Sequence, residues 1–586
     1  MDQTAKAEKK LAGNAISGMA ATIIYMVSRL LLTPFILHFI SLAEFGLWSL
    51  SFIILSYAGM GGFGVNSTYI RYSARYLAEG REGEISRLLS TGIAYMLSFS
   101  ILFCSVLTLL MPFILDRFHI EKAQQELAST VFLGTAAVFS LELTLGGFRF
   151  ILNGLHEFAK EKMVTTISGL LEIVAILSFL ALGAGVKGLL YAFALRLFLE
   201  TAGCWNIARR LLPSLRVSHK LVSREQFRLF VGFGGKVQVL GVLGIFLTAL
   251  DRMFITAISG LAAGGMFEIG RKLPSTAGSI SSSAFGPFLS TAAHHEGNWT
   301  GEKANTVSDR VSVYLHIAVT TLVFASVPLL LLPDMQERLP FNGMIPAFPA
   351  AAGAVVLFFS FRRKIRDDNR LESSELKALY LNGIRFTNMI SSTLFVFLIA
   401  MAHPLVFAWV GTGFSAAAEV MIFLSIAYPL QLSTGPVTMI FRGIDRNGRE
   451  LEYMLVQVIL MLIWIPAATM AWGLTGAAAS IAASSLFSTS YLFWRSNATF
   501  RIRPGEFIPA ALFPVFVPII PALPVFAVTS MFPATGRIPA ILQVLLCGCC
   551  YVSVTAGLFW TMVLDGQEKK KALALLPFMK KSDPAC

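Results

Sequence analysis

Among the ionisable side chains inside apolar runs long enough to cross a bilayer, thirteen have chemistry to offer. The basic ones are Arg29, Arg149, Arg196, Lys236, Arg252, Arg271, Lys272 and Arg385; the acidic ones are Glu142, Glu172, Glu200, Asp251 and Glu268. A charge at the centre of a bilayer costs roughly 3 kcal/mol or more unless it faces protein, water or a partner, so each is a functional candidate. Arginine keeps its charge at any depth and bonds phosphate or carboxylate oxygens in pairs, which suits it to an anion. A buried carboxyl can take up a proton or a cation. Spacing along a helix supplies partners: Arg196 and Glu200 stand four apart, Glu268 lies three and four from Arg271 and Lys272, and Glu142 and Arg149 are seven apart, nearly on one face. Arg196 with Glu200 reads as a structural pair. Lys236, Arg385 and Glu172 lie close enough to expected helix ends to snorkel to the interface. Arg29 stands mid-helix with no acid nearby in sequence, and reads as functional; Arg149, Arg252 and Arg271 follow it.

The elements that must position these groups are transmembrane helices. The 586 residues are 55% hydrophobic and only 14% charged, with a mean hydropathy of +0.69, where an ordinary soluble domain carries about 25% charge. A soluble chain is excluded on that ground. Sixteen apolar runs, most of about 17–25 residues, the length that spans a hydrocarbon core, recur from 16–37 to 538–563; 128–152, 163–183 and 416–441 are among them. The basic start followed by a spanning run, with no small-residue cleavage site, reads as helix one rather than a signal peptide.

The net charge of +13 suggests a nucleic-acid partner until the positions of Lys and Arg are mapped. With the N-terminus in the cytoplasm, 34 of them fall in cytoplasmic loops and tails and five (Arg117, Lys122, Lys187, Arg338 and Arg537) in outer loops. That asymmetry is the positive-inside pattern, and it predicts both termini inside and no nucleic-acid partner. Six cysteines, three at Cys547, Cys549 and Cys550, show no metal or redox spacing, and the His294-His295 pair has no further ligands near it, so no metal site is expected. No phosphate-binding GxxxxGK[ST] loop is present, so ATP hydrolysis by this chain is not expected. Outer loops of about a dozen residues, near 116–127 and 334–343, and the lack of a soluble domain argue against a membrane glycosyltransferase, polymerase or ligase. The chain reads as a non-enzyme.

An internal repeat organises the helices. The segment Ile151–His156 is similar to Ile440–Asp445, and each precedes a charged loop, an apolar helix and a Gly-x-x-Gly turn, at Gly185 and Gly188 or at Gly473 and Gly476. Pro112 and Pro404 match near the outer ends of their helices, and the outer turn at Gly46 matches Gly265. The changing offset places an inserted helix pair at about 311–361. Since the matches keep the same membrane orientation, the two halves are parallel repeats. The expected division is an N-terminal six-helix lobe at 1–228, a C-terminal one at 229–500 with an insertion at about 294–363, a helix pair at 501–564 and a cytoplasmic tail at 565–586. Pro509, Pro514, Pro518, Pro521 and Pro524 predict a kinked or broken helix at the start of that pair. Four glycines within 59–64 allow a bend in helix two, or close packing, which is the ordinary explanation.

Several stretches resemble the polysaccharide-unit exporters, the O-antigen and capsule flippase type, of the multidrug/oligosaccharidyl-lipid/polysaccharide (MOP) superfamily. They are Leu32-Thr33-Pro34, the turn Phe45–Trp48, the segment Gly62–Arg71, Ala78–Arg81, Asp251–Ile255 and Gly265–Lys272. The resemblance covers roughly 10–293 and 378–500. Members often carry an acid where Gly62 stands, so no role for that carboxylate transfers, and the inserted pair is atypical. The resemblance implies an all-α, polytopic membrane protein of the inner membrane, with two parallel six-helix lobes (MATE-like) around a cavity that opens alternately to either side. Its cargo would be a polyprenyl-pyrophosphate-linked oligosaccharide for O-antigen, lipopolysaccharide or other surface polysaccharide, passed on to a polymerase or ligase. Arg29, Arg149, Arg252 and Arg271 would hold the pyrophosphate. Asp251, Glu142 and Glu268 would take up a coupling proton or sodium ion, with no other cofactor. Cation-coupled export of amphipathic drugs and flipping of a lipid-linked peptidoglycan precursor are the alternatives within the same superfamily; among the thirteen residues basic groups outnumber acidic ones eight to five, which favours an anionic cargo.

Overall fold

The computed structural model describes residues 28–59, 64–282, 285, 288 and 374–569, apart from positions 119, 156, 445, 447 and 567 and the side chains at 57, 233–243 and 246. Several sequence expectations lie outside the described residues: the basic N-terminus and the start of helix 16–37, Gly61 and Gly62, the side chain of Lys236, His294 and His295, the pair at 311–361, and the tail beyond 569. Among the described residues the secondary structure is helical throughout. Nine of the described helical stretches are long and apolar enough to cross a bilayer, and shorter apolar helices precede them.

Several long stretches hold more than one crossing. The helix Gly448–Thr499 has 52 residues, which at 1.5 Å per residue is more than twice the hydrocarbon thickness. It turns back at Trp472 and Gly473, where Gly473 takes φ 60° and ψ −143°. The 48-residue helix Gly235–Ser282 breaks likewise at Gly260, with φ 85° and ψ 174°. Both are left-handed conformations that a residue without Cβ adopts at little cost. The runs expected to cross once at 128–152 and 416–441 are each two helices, jointed at Gly146 and at Thr434. These joints fall at matching places in the repeat.

The chain gathers into two compact units. The described part of the first comprises 28–269 and 454–480. It contains α1 (Ser28–Phe39), α2 (Leu42–Ala58), α3 (Val65–Ala78), α4 (Glu82–Arg117), α5 (Gln125–Leu145), α6 (Gly147–Gly154), α7 (Phe158–Ala181), α8 (Gly185–Leu211), the short α9 (Arg224–Leu229) and most of α10 (Gly235–Ser282). Between α2 and α3, Gly64 has φ 61°. Its glycine is there for a turn, not only for close packing. α7 lies along α8, α4 along α5, and α3 against α6. At the centre of the α3–α4–α6 core, the buried ring of Tyr69 stands edge-on to Phe230 at 5.3 Å. A Cβ at Gly92 or Gly147 would run into that ring, so both glycines make room for it.

Two further features of this unit stand out. The segment that follows α8 is fastened to α4 by hydroxyls one helical turn apart. Arg216 N donates to Ser86 Oγ (3.1 Å), Ser218 N to Ser90 Oγ (3.2 Å) and Ser223 N to Thr91 Oγ1 (3.0 Å). Leu212 is buried beneath this strap. In addition, α2 and α10 cross at Gly46 and Gly265. A Cβ on Gly46 would overlap the carbonyl oxygen of Leu261, and one on Gly265 would crowd the carbonyl oxygen of Leu42 at 2.7 Å.

The second unit's described part comprises 270–288, 374–453 and 481–569. Its helices are α11 (Ser374–Ala400), α12 (Ala402–Val410), α13 (Ser415–Ser433), α14 (Gly435–Gly443), parts of α15 (Gly448–Thr499), and then α16 (Pro504–Phe516), α17 (Ile519–Met531) and α18 (Arg537–Met562). The chain breaks between α16 and α17 at Val517 and Pro518, as the proline run predicts. α11 is the spine of the unit and packs against α13, α16 and α17. Asn388 on α11 donates to the carbonyl of Ala511 at 2.7 Å, and Ser392 to that of Pro514 at 3.0 Å. Those carbonyls stand three residues apart on α16, and that of Pro514 lacks its usual helical donor because residue 518 is a proline without an N–H.

Large apolar side chains stay exposed along whole faces. On α4, Leu97, Ile101, Leu102, Val106, Leu109 and Phe113 follow helical spacing. Such stripes are unfavourable in water and fit a hydrocarbon surround. The protein is a multi-pass membrane protein.

Candidate functional site

The first unit holds a cluster of charged side chains drawn from five helices. Arg29 on α1 donates from Nη2 to Glu172 Oε2 on α7 at 2.5 Å. Glu172 also faces Arg196 of α8, whose Nε lies 3.7 Å from the same oxygen. Arg196 Nη2 in turn reaches Glu142 Oε2 on α5 at 3.3 Å. Arg149 on α6 donates from Nη1 to Glu200 Oε1 on α8 at 2.7 Å, and its Nε lies 3.9 Å from Glu161 Oε1 on α7. Lys162 Nζ flanks the other Glu161 oxygen at 3.5 Å. The chain of contacts Arg29–Glu172–Arg196–Glu142 therefore ties α1, α7, α8 and α5 together.

Burial is uneven across the cluster. Glu172 and Glu161 are each 2% exposed and Glu200 is 8% exposed, whereas 27% of the Arg29 side chain and 28% of the Arg149 side chain remain accessible. Glu161, Glu172 and Glu200 are thus sealed in, Glu142 keeps 23% of its side chain accessible, and Arg29 and Arg149 present an open edge. Two rings support them from behind: Phe150 lies under Arg149 at 4.7 Å and Phe193 under Arg196 at 5.2 Å, distances at which a guanidinium gains from the ring face. A cavity of about 290 Å³ opens beside the cluster, with Asn66, Met96, Phe139, Glu142, Arg149 and Phe150 among its lining residues.

The cluster gathers three of the residues singled out from sequence, Arg29, Arg149 and Glu142. Their spacing-based partners are not the ones observed at closest range. Contacts along one helix were the expectation; the contacts found join residues 143, 54 and 51 positions apart. Glu142 and Arg149 do not share a helix face, because the joint at Gly146 divides α5 from α6, yet both line the cavity. Glu172 is not at a helix end: it lies midway along α7 and is buried between two arginines. Arg385 is held by an ion pair with Glu568.

The remaining candidates lie on α10. Arg252 Nη1 stands 3.6 Å from Glu268 Oε2, across the Gly260 turn, and its Nη2 donates to the carbonyl of Thr248 at 2.8 Å. Asp251 is 5% exposed and accepts from the backbone N–H of Arg252 at 2.8 Å. Arg271 and Lys272, half-buried, follow on the same helix but belong to the second unit. In that unit sequence reading overlooked Glu450 and Glu452, both nearly sealed. Glu450 takes a two-pronged hold from Arg442 at 2.5 and 2.7 Å, and Glu452 lies 3.4 Å from Arg449, 3.6 Å from Arg495 and 3.1 Å from the Tyr491 hydroxyl. Glu450 lies just outside the expected run 452–471, and Glu452 stands at its first position.

A membrane bundle whose halves repeat with the same orientation, and whose charges are paired between helices, defines a class. The fold is like that of a known flippase and of a MATE transporter. It is similar over 94% of this chain, and over all of the other, to a lipid II flippase MurJ in an inward closed conformation, with a TM-score of 0.59 and 12% sequence identity. A mutant of the Vibrio cholerae MATE transporter VcmN is similar over 86% of this chain and all of the other, with a TM-score of 0.50 and 10% identity. Residues 11–292 match the family described as polysaccharide biosynthesis protein, in line with the resemblance read from the sequence. No curated protein matches the sequence.

Proposed function

We propose that this chain carries a polyprenyl-pyrophosphate-linked oligosaccharide repeat unit from the cytoplasmic to the outer leaflet of the inner membrane, by alternating access, for surface polysaccharide such as O-antigen. The observation that carries this reading is the set of accessible guanidiniums, Arg29 and Arg149 foremost, in apolar helices of the segment that matches the polysaccharide biosynthesis family. A pyrophosphate needs fixed positive charge that survives desolvation, and arginine supplies it with paired donors. Arg252 and Arg271 on α10 complete the proposed anion set, and Asp251, Glu142 and Glu268 are the proposed groups for a coupling proton or sodium ion. The excess of Lys and Arg in alternate loops supports both termini in the cytoplasm. The product would pass to a polymerase or ligase on the outer face.

One observation favours a second reading, cation-coupled export of an amphipathic cation: in the cluster, carboxylates match basic groups one for one. A single experiment separates the two. The protein is depleted in its native host, and lipid-pyrophosphate-linked oligosaccharide is measured by leaflet, alongside an Arg29→Ala strain. Accumulation in the cytoplasmic leaflet in both cases is the expected result. Unchanged lipid-linked sugar with altered retention of a cationic dye would establish export of cations instead. Build-up of a peptidoglycan precursor would reassign the cargo.

A further inference from the structure

The repeat provides an internal control for the charged cluster. Gly154 matches Gly443 and Gly188 matches Gly476, so offsets of 289 and 288 carry each member of the first half to its counterpart. Glu142 falls on Gln431, Arg149 on Thr438, Glu172 on Met461, Arg196 on Ser484 and Glu200 on Ser488; Gly46 and Gly265 likewise carry Arg29 to Thr248. These six charges have neutral counterparts, as has Lys162 with Leu451, whereas Glu161 falls on Glu450. Met461, Ser484 and Ser488 are fully or almost fully buried, so the same helical plan closes without charge at these places. Replacing buried ion pairs with neutral side chains is commonly harmless to stability. The six charges therefore serve something other than the shared helical plan.

Within the cluster Glu172 holds a particular place. It accepts from Arg29 and lies within ion-pair distance of Arg196, sealed at 2% exposure, while Arg29 keeps an accessible edge. We propose that Glu172 is the resident counter-ion of Arg29: it neutralises the guanidinium when no cargo is present, and the diphosphate of an anionic lipid displaces it onto Arg196. The displaced carboxylate has a receiver in place, since Arg196 Nε already lies 3.7 Å from it. Without such a receiver displacement would strand a buried charge, which is strongly unfavourable. The other charged groups of the cluster, Glu142, Arg149, Glu161, Lys162 and Glu200, keep the partners described above. Glu172 is a positioning residue in this account. Cargo arrival at α1 would thereby alter the ties among α7, α8 and α5.

This inference rests on the flippase reading, and the test keeps their failures apart. Farnesyl diphosphate is titrated into purified full-length protein in lipid nanodiscs, with wild type, Glu172→Gln, Arg29→Ala and the double variant compared. Removal of the competing carboxylate is expected to tighten binding about tenfold in Glu172→Gln, equivalent to about 1.4 kcal/mol. The double variant should bind no better than Arg29→Ala alone, which a general loss of negative charge would not produce. Should Glu172→Gln fail to fold, Glu172→Met installs the residue that the second half carries at this place. Measurable wild-type binding that either variant leaves unchanged or weakens overturns the role of Glu172 and leaves the flippase reading standing. Absence of binding in wild type and Glu172→Gln alike overturns both.

Discussion

Arg29 shows what a sequence discloses about a charged residue and what it withholds. Its depth in an apolar run marks it as costly, and therefore as employed. Its partner Glu172 lies 143 positions away, on a helix whose packing no local pattern specifies. Spacing rules describe neighbours on one helix face, so they propose pairs such as Arg196 with Glu200 and are blind to contacts between helices. The observed pairing carries an expectation at this scale. Arg29→Ala leaves Glu172 with Arg196 as its neighbouring cation and should lower stability by about 2–3 kcal/mol, below the usual loss for breaking a buried pair because one partner remains. Adding Glu172→Met should restore most of it. Thermal unfolding in detergent of the two variants checks this, and a double variant no more stable than the single one would show that the pair is not where the loss arises.

Helices were legible from hydropathy, and their joints only in part. Gly260 and Gly473 fall between separately expected runs and take conformations that favour glycine. The joints at Gly146 and Thr434 lie inside apolar runs, marked only by Gly146-Gly147 and by Ser433-Thr434-Gly435-Pro436, and hydropathy averages across them. The strap after α8 was invisible for another reason. Ser86, Ser90 and Thr91 look like ordinary small polar residues of an amphipathic helix start, and their function as a ladder exists only once the extended segment lies against them. Ser90 both accepts from Ser218 N–H and donates to the Arg216 carbonyl, at 3.2 and 3.5 Å. Ser90→Ala should weaken the strap by about 1–2 kcal/mol. Faster amide hydrogen exchange confined to residues 214–223 is the expected signature, and unchanged exchange there would assign the fastening to the buried Leu212 instead.

At the scale of the whole molecule, composition sufficed to place the chain in a bilayer as an all-helical protein. The terminal helices α16, α17 and α18 were legible as membrane elements but not as part of the second unit. Their attachment depends on side chains whose targets are backbone carbonyls of α16, that of Pro514 left without a helical donor by Pro518, and on the ion pairs Lys377–Glu506 and Arg385–Glu568. Truncation after residue 500 removes all of these partners together. It strands Asn388 and Ser392 on α11 and should abolish a monodisperse protein in detergent, measured by size-exclusion chromatography; a truncated chain that elutes as a single folded species would reduce these helices to a peripheral addition.

The crossing of α2 and α10 bears on how such a chain comes to exist. Leu42 and Gly46 correspond in the repeat to Leu261 and Gly265, and the contact is reciprocal: each glycine approaches the carbonyl of the other's leucine. A patch that meets its own counterpart in this way is isologous, the type of contact that forms when two copies of one subunit pair about a two-fold axis. Here both copies of the patch belong to a single polypeptide. Geometrically the crossing is a homodimer interface with its subunits fused, and a half-length chain ending near α8 would already carry, in Leu42 and Gly46, a surface able to pair in parallel with a second copy of itself.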